Sequence, residues 1–181
     1  HHVHSLRKIL DLYEKSLPDG ACPTWFTSNH DENSWNGTEY EKYGPMAIPL
    51  AVFSATWKGL PLIYSGQEIP NNKRLQFFDR DPLLWDGDAA LHDFYKSLLG
   101  LRKNNAVSSC FSEKSKCYHI ANSVDHHVFS FVRSYNDERL IVLINFSVWD
   151  LPEVKIDCQD LEGEYGELFL NENLTINSSS K

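Results

Sequence analysis

Apolar residues at helical spacing open the chain. Leu6, Ile9, Leu10 and Tyr13 predict a helix over Ser5–Lys15 with Ser5 as its N-cap, ended by Leu17-Pro18-Asp19-Gly20. A short β-favouring run around Trp25-Phe26 follows. It breaks into a dense polar cluster, Asn29, His30, Asp31, Glu32, Asn33 and Asn36, with Trp35 among them and a loop onward to Gly44. The apolar segment Pro45–Trp57 predicts a second helix, which Pro49 must either begin or kink, and Gly59 fits the residue past its end. The unbroken run Pro61–Ser65 reads as a strand buried on both faces. Strand, helix and strand in this order make a βαβ unit, hence a parallel sheet. Gly66-Gln67-Glu68 then repeats the first pattern, a buried strand emptying into polar groups. Asp88 is placed to cap a third helix carrying Leu91, Phe94, Tyr95, Leu98 and Leu99.

Beyond residue 106 the period changes. His127–Ser134 alternates, Arg139–Phe146 is a second β-rich run, and Asn136-Asp137 between them predicts a hairpin turn. Shorter strand candidates lie at Val154–Ile156 and Leu168–Leu170. The expected fold class is therefore α/β over residues 1–105 followed by all-β over 106–181, with the boundary in Asn104–Ser115. An interior parallel strand needs neighbours on both sides, and only two are visible. Residues 1–105 thus read as part of a larger sheet or barrel, so the chain is a fragment or assembles with something. Exposed apolar barrel surface then predicts self-association.

Composition narrows the partners. A net charge of -8 over 181 residues, with no clustered Lys/Arg patch, argues against nucleic acid. No apolar run is long enough for a transmembrane helix, so no membrane partner is expected, and HHVHSLRKIL lacks the apolar core of a signal peptide. His1 and His2 suit a tag remnant or natural sequence equally. Cys22, Cys110, Cys117 and Cys158 show no metal-ligand spacing; Cys110 and Cys117 are one candidate pair among several connectivities. Asn36, Asn145, Asn173 and Asn177 each head an N-glycosylation sequon.

A family likeness rests on particular residues. Phe26-Thr27-Ser28-Asn29-His30-Asp31 resembles the seventh-strand motif of the alpha-amylase family of glycoside hydrolases. Gly59-x-Pro61-x-x-Tyr64-x-Gly66-Gln67-Glu68 resembles its eighth-strand motif. Asn72-Lys73-Arg74-Leu75, Phe77-Phe78-Asp79 and Leu101-Arg102-Lys103 are similar to its bacterial members, so the likeness runs from about Trp25 to Phe169. It implies the last strand–helix units of a (β/α)8 barrel followed by an antiparallel β-sandwich domain. The implied activity is retaining hydrolysis of α-linked glucans such as starch and maltooligosaccharides, and a secreted or cell-envelope setting.

Retention needs two carboxyl groups about 5 Å apart, as nucleophile and acid/base. In the family these sit on the fourth and fifth barrel strands, and neither motif is present here, so this chain alone is expected to be inactive. The resemblance carries over only the third acidic residue, Asp31, as a transition-state stabiliser. His30 would bond a sugar hydroxyl in the same subsite, with Asn29 and Trp35 as further substrate-binding candidates. Glu32-Asn33-Ser34 follows the Asp without the family's frequent Arg, which leaves the finer subsite contacts open.

Competing readings attach to several residues. Asp31 could pair with Glu68 as a two-carboxylate site, although the family treats Gln67-Glu68 as loop-supporting; Glu32 has a similar claim. The run Asp79, Asp81, Asp86 and Asp88 invites a calcium site but lacks EF-hand spacing, and a solvated loop with a helix cap is the simpler reading. No metal or cofactor is evident in this chain, while the full-length enzyme could hold calcium. Tyr40 and Trp85 could stack on sugars like Trp35, whereas Trp25 and Trp57 read as core. His119, His126 and His127 read as core or surface residues. The rival function is a non-catalytic carbohydrate-binding or interaction protein on an amylase-like scaffold.

Overall fold

A computed structural model describes residues 3–85, 88–108 and 115–177. Helix α1 spans Val3–Ser16 and buries Val3 and Leu10. Ser5 therefore lies inside the helix and is not its N-cap. The adjoining face leaves Ile9, Leu12 and Tyr13 exposed at 49%, 63% and 45%, an apolar stripe of which Tyr13 also meets Trp25 at 5.8 Å.

Strand β1, Thr24–Trp25, pairs in parallel with β2, Leu60–Pro61. The Leu62 N–H donates to the Trp25 carbonyl at 2.9 Å and prolongs the pairing. The expected strand Pro61–Ser65, buried on both faces, is reduced to this short ladder, with Leu60 and Leu62 about two-fifths exposed. A strand persists only where its backbone groups find partners, and among the described residues β2 pairs with β1 alone.

The stretch to Gly44, expected as loop, folds into a π-helical turn at Glu32–Asn36 and helix α2, Glu39–Tyr43. Pro45 sits in a 3₁₀ turn, Gly44–Met46, which leads into α3, Ala47–Thr56. Pro49 falls in the first turn of α3, where its missing N–H costs nothing and no kink is needed. Helix α4, His92–Asn104, packs Tyr95 and Leu98 against Ala51 and Ala55 of α3. Asp88 does not cap it: Leu91 holds the N-cap position without a side-chain bond, and the helix begins too far downstream for Asp88 to reach its first donors.

The chain then becomes antiparallel. Strands β3 (Lys116–His119), β4 (Val128–Tyr135) and β5 (Glu138–Asn145) form one sheet, and β6 (Gly163–Gly166) pairs with β7 (Asn173–Ile176). The hairpin turns at Asn136-Asp137 as expected, with Asn136 at φ 52°. Val154–Ile156 supplies only one bridge, from Ile156 to Asn122, and Leu168–Leu170 is a turn between β6 and β7. Strand β4 is buried on both faces over Val128–Arg133 instead of alternating. Phe129 and Phe131 face α1 and α3, while Val132 meets Ile120 and Leu161.

One core thus runs through both halves. Val3, Leu10 and Phe53 cluster with Phe129, Phe131, Val142 and Ile144, and Trp25 and Trp57 pack against it as the sequence suggested. Cys22 is disulfide-bonded whereas Cys117 and Cys158 are free thiols, so the Cys110–Cys117 pairing is excluded; Cys110 itself lies outside the described residues.

Gly59 is where α3 hands over to β2. Its φ is 146°, and an added Cβ would lie 2.3 Å from the Trp25 indole nitrogen and 2.5 Å from the Pro23 carbonyl. That nitrogen donates to the Lys58 carbonyl at 2.8 Å, so the indole cannot retreat without losing its bond. Gly59→Ala is expected to lower the unfolding free energy in urea by about 2–4 kcal/mol. Gly20, at φ 77° with open space around its Cβ position, serves as the control. Gly20→Ala should cost about 1 kcal/mol, the backbone penalty alone.

Candidate functional site

Strand β1 runs into Thr27 and Ser28, both buried, and then into the polar cluster. Asn29 ends the extended segment by capping a helical turn. Its Oδ1 accepts the Glu32 N–H at 2.8 Å and its carbonyl accepts the Asn33 N–H at 2.9 Å. His30 and Asp31 therefore occupy the first positions of the turn and project outward, their side chains 70% and 58% exposed and 3.5 Å apart. Asn29, expected to meet substrate, uses its Oδ1 in shaping the turn that presents them.

The neighbouring acids have other partners. Glu32 takes Lys42 at 2.9 Å and the Asn36 amide at 3.1 Å, and chiefly the Lys42 hydrogen bond holds its carboxyl below the usual range. Glu68 Oε2 accepts the Gly66 N–H at 3.1 Å, and its carbonyl accepts from Leu91. Glu68 thus folds back to brace its own turn, the loop-supporting part rather than a partner for Asp31. Asp81 binds Lys73 and the Gln76 N–H, and the Lys73 bond depresses its carboxyl. Asp79 and Asp88 are exposed and Asp86 lies outside the described residues. Among the described residues no cluster of three or more His, Cys, Asp or Glu forms a metal cage.

Three features escaped sequence reasoning. The first is the Thr38–Glu41 capping box of α2, in which Thr38 N–H donates to Glu41 at 2.7 Å and Glu41 N–H to Thr38 at 3.2 Å. Its Thr-x-x-Glu spacing was a legible signal. The second is Asn33, 3% exposed, whose amide donates to the Lys73 carbonyl at 3.2 Å and accepts the Leu75 N–H at 2.8 Å. It fastens the loop after β1 to the loop after β2. The third is Gln67, 5% exposed, whose Nε2 shares its two hydrogens among the oxygens of Thr27 at 2.8 Å, Glu39 at 2.8 Å and Tyr95 at 3.0 Å. Its Oε1 accepts the Tyr64 N–H at 2.7 Å.

Aromatic side chains flank the exposed pair. Trp35 is 59% exposed and lies 5.3 Å from Phe77, which in turn lies 5.9 Å from His30. Tyr40 is largely withdrawn, its hydroxyl pushed up to about 12 by burial and the Glu39 charge, while Trp85 is 59% exposed. His119 packs on Trp57 and Phe129, and His127 on Trp149.

The fold resembles that of solved alpha-amylases. A solved maltogenic alpha-amylase, AmyB from Thermotoga neapolitana, matches 96% of this chain with TM-score 0.77 and 18% identity, using 41% of its own length. An alpha-amylase from Lactobacillus plantarum matches 97% with TM-score 0.70 and 16% identity, using 39% of its length. In sequence, the chain is 28% identical over 155 residues to the beta/alpha-amylase of Paenibacillus polymyxa, which is 81% of this chain and 12% of that protein. The chain spans well under half of each of these proteins. No family model matches it. The resemblance read from the Asn29-His30-Asp31 and Gly59–Glu68 motifs therefore holds, and the fold is a mixed α/β unit followed by antiparallel sheets.

Glu39 gives a test of the buried network. It is 4% exposed, and burial raises its carboxyl above the ordinary 4.5 although Thr27 and Gln67 bond to it. A raised folded-state value means the native state holds the proton more tightly than the unfolded chain. Stability should then fall as pH rises from 4.5 through the raised value. Glu39→Gln is expected to flatten that slope in thermal unfolding followed by circular dichroism at a series of pH values; an unchanged slope would contradict the assignment.

Proposed function

We propose that this chain is the C-terminal portion of an alpha-amylase-like glycoside hydrolase that acts on α-linked glucans with retention. In this reading residues 1–105 are the last strand–helix units of a (β/α)8 barrel, and residues 106–181 are its β-sandwich domain. The observation that carries it is the exposed His30–Asp31 pair at the end of a parallel strand, within a chain similar over nearly its whole length to amylases. Barrel enzymes place their reacting groups at that end of their strands. The exposed stripe of Ile9, Leu12 and Tyr13 on α1, with Leu60 and Leu62 at β2, is the surface on which upstream units would pack. In their absence the same surface would drive self-association.

The chemistry follows from charge. Cleavage passes through an oxocarbenium-like state in which positive charge grows at the anomeric carbon. Asp31, bonded to sugar hydroxyls beside that carbon, interacts more strongly with this state than with the ground state, which is what raises kcat. His30 orients the same ring by a hydrogen bond. The nucleophile and acid/base belong to upstream strands, so the 181-residue chain should leave a chromogenic maltooligosaccharide uncleaved. Turnover abolished by Asp31→Asn in this chain would overturn the fragment reading. In the full-length enzyme, Asp31→Asn should lower kcat about a hundredfold or more with a much smaller change in KM. The exposed rings beside the pair would equally serve a non-catalytic sugar-binding protein, for which Asp31→Asn would leave ligand affinity unchanged and no turnover would exist to lose.

A further inference from the structure

Phe77 and Phe78 are held in an arrangement that burial does not explain. Phe78 is 83% exposed, beside Trp35 at 59%. The loop carrying them is fixed from below by polar bonds: Asn33 to the Lys73 carbonyl and Leu75 N–H, Asp81 to the Gln76 N–H at 3.0 Å, and Arg74 to Glu41 at 2.8 Å. The rings touch one another, Phe77–Phe78 at 4.9 Å and Trp35–Phe78 at 6.1 Å, but cross at 80° and 70° and so do not stack flat on each other. His30 lies nearly parallel to Phe77, at 23°, which makes the aromatic surface continuous with the His30–Asp31 pair.

We propose that Phe77, Phe78 and Trp35 form a platform that docks a further glucosyl unit of the α-glucan whose neighbouring unit His30 and Asp31 grip; this rests on the glucan reading above. A pyranose ring has apolar C–H faces and a hydroxyl rim. Its faces suit aromatic rings and its hydroxyls suit an adjoining imidazole and carboxylate. A packed apolar protein segment fits less well, since it would desolvate the Asp31 carboxylate without supplying a partner.

The test is calorimetric titration of the 181-residue chain with maltoheptaose, with cellohexaose as the β-linked comparison. Phe78→Ala should weaken maltoheptaose binding by about three- to tenfold, the equivalent of one lost aromatic contact, and Phe78→Trp should restore it. At this exposure the substitution leaves the fold intact, which an unchanged melting temperature verifies. Unchanged affinity in Phe78→Ala overturns the platform. So does a change in oligomeric state by light scattering with no change in affinity, which would assign the rings to a protein partner. Absence of binding to the wild type also overturns it, while the hydrolase reading stands or falls separately on kcat of Asp31→Asn in the full-length enzyme. Affinity that depends on Phe78 but not on Asp31 would uphold the platform even if that reading failed.

Discussion

The architecture of the site end depends on one buried amide. Strands β1 and β2 are too short to hold their own register, yet the loops they launch carry every exposed group of the candidate site. Gln67 supplies what the ladder lacks. Its NH₂ reaches Thr27 just past β1, Glu39 on α2 and Tyr95 on α4, and its carbonyl receives the Tyr64 N–H from the segment after β2. Each bond nets about 1 kcal/mol, but losing the amide would strand several buried polar groups at once, and that penalty outweighs the bonds themselves. The site is therefore held by an all-or-none polar lock, with Asn33 repeating the device one loop further out.

A second constraint comes from the antiparallel sheet. Trp57 at the end of α3 packs on Phe131 at 4.8 Å and Phe129 at 5.4 Å. Arg133, 1% exposed, donates to the carbonyls of Thr56, Trp57 and Ser108. A cation against the last carbonyls of a helix meets the negative end of its dipole. Strand β4 thus satisfies carbonyls at the end of α3, just before Gly59 turns the chain into β2. The β region braces α3 through this core, at a distance from His30 and Asp31.

The division of labour among site residues follows from position in the turn. Asn29 is spent on the cap, Asn33 on the staple and Glu32 on Lys42, which leaves His30 and Asp31 as the groups free to act. Of the six polar residues of this cluster, His30 and Asp31 are the two whose side chains face outward without a bond to the surrounding fold. The rest determine the angle at which those two face outward.

Local features were legible in the order of residues because their physics is local. The helical spacing at Leu6–Tyr13 and Leu91–Leu99, the hairpin at Asn136-Asp137 and the Asn29-His30-Asp31 cluster each follow from a few neighbouring side chains, whereas Pro49 left open whether it began or kinked its helix. Strand extent at Pro61–Ser65 did not, because a ladder depends on partners elsewhere in the chain. Nor did the two-faced burial of β4, since Phe131 and Val132 are both apolar and only their packing separates them into different cores. Gln67, Arg133 and Phe78 show the limit most plainly. The sequence determined that an amide, a guanidinium and a ring were available. The tertiary structure decided that the amide would be a buried lock, the guanidinium a buried donor to the carbonyls at the end of α3 and the ring an open surface, because burial and long-range hydrogen bonding exist only once distant segments have met.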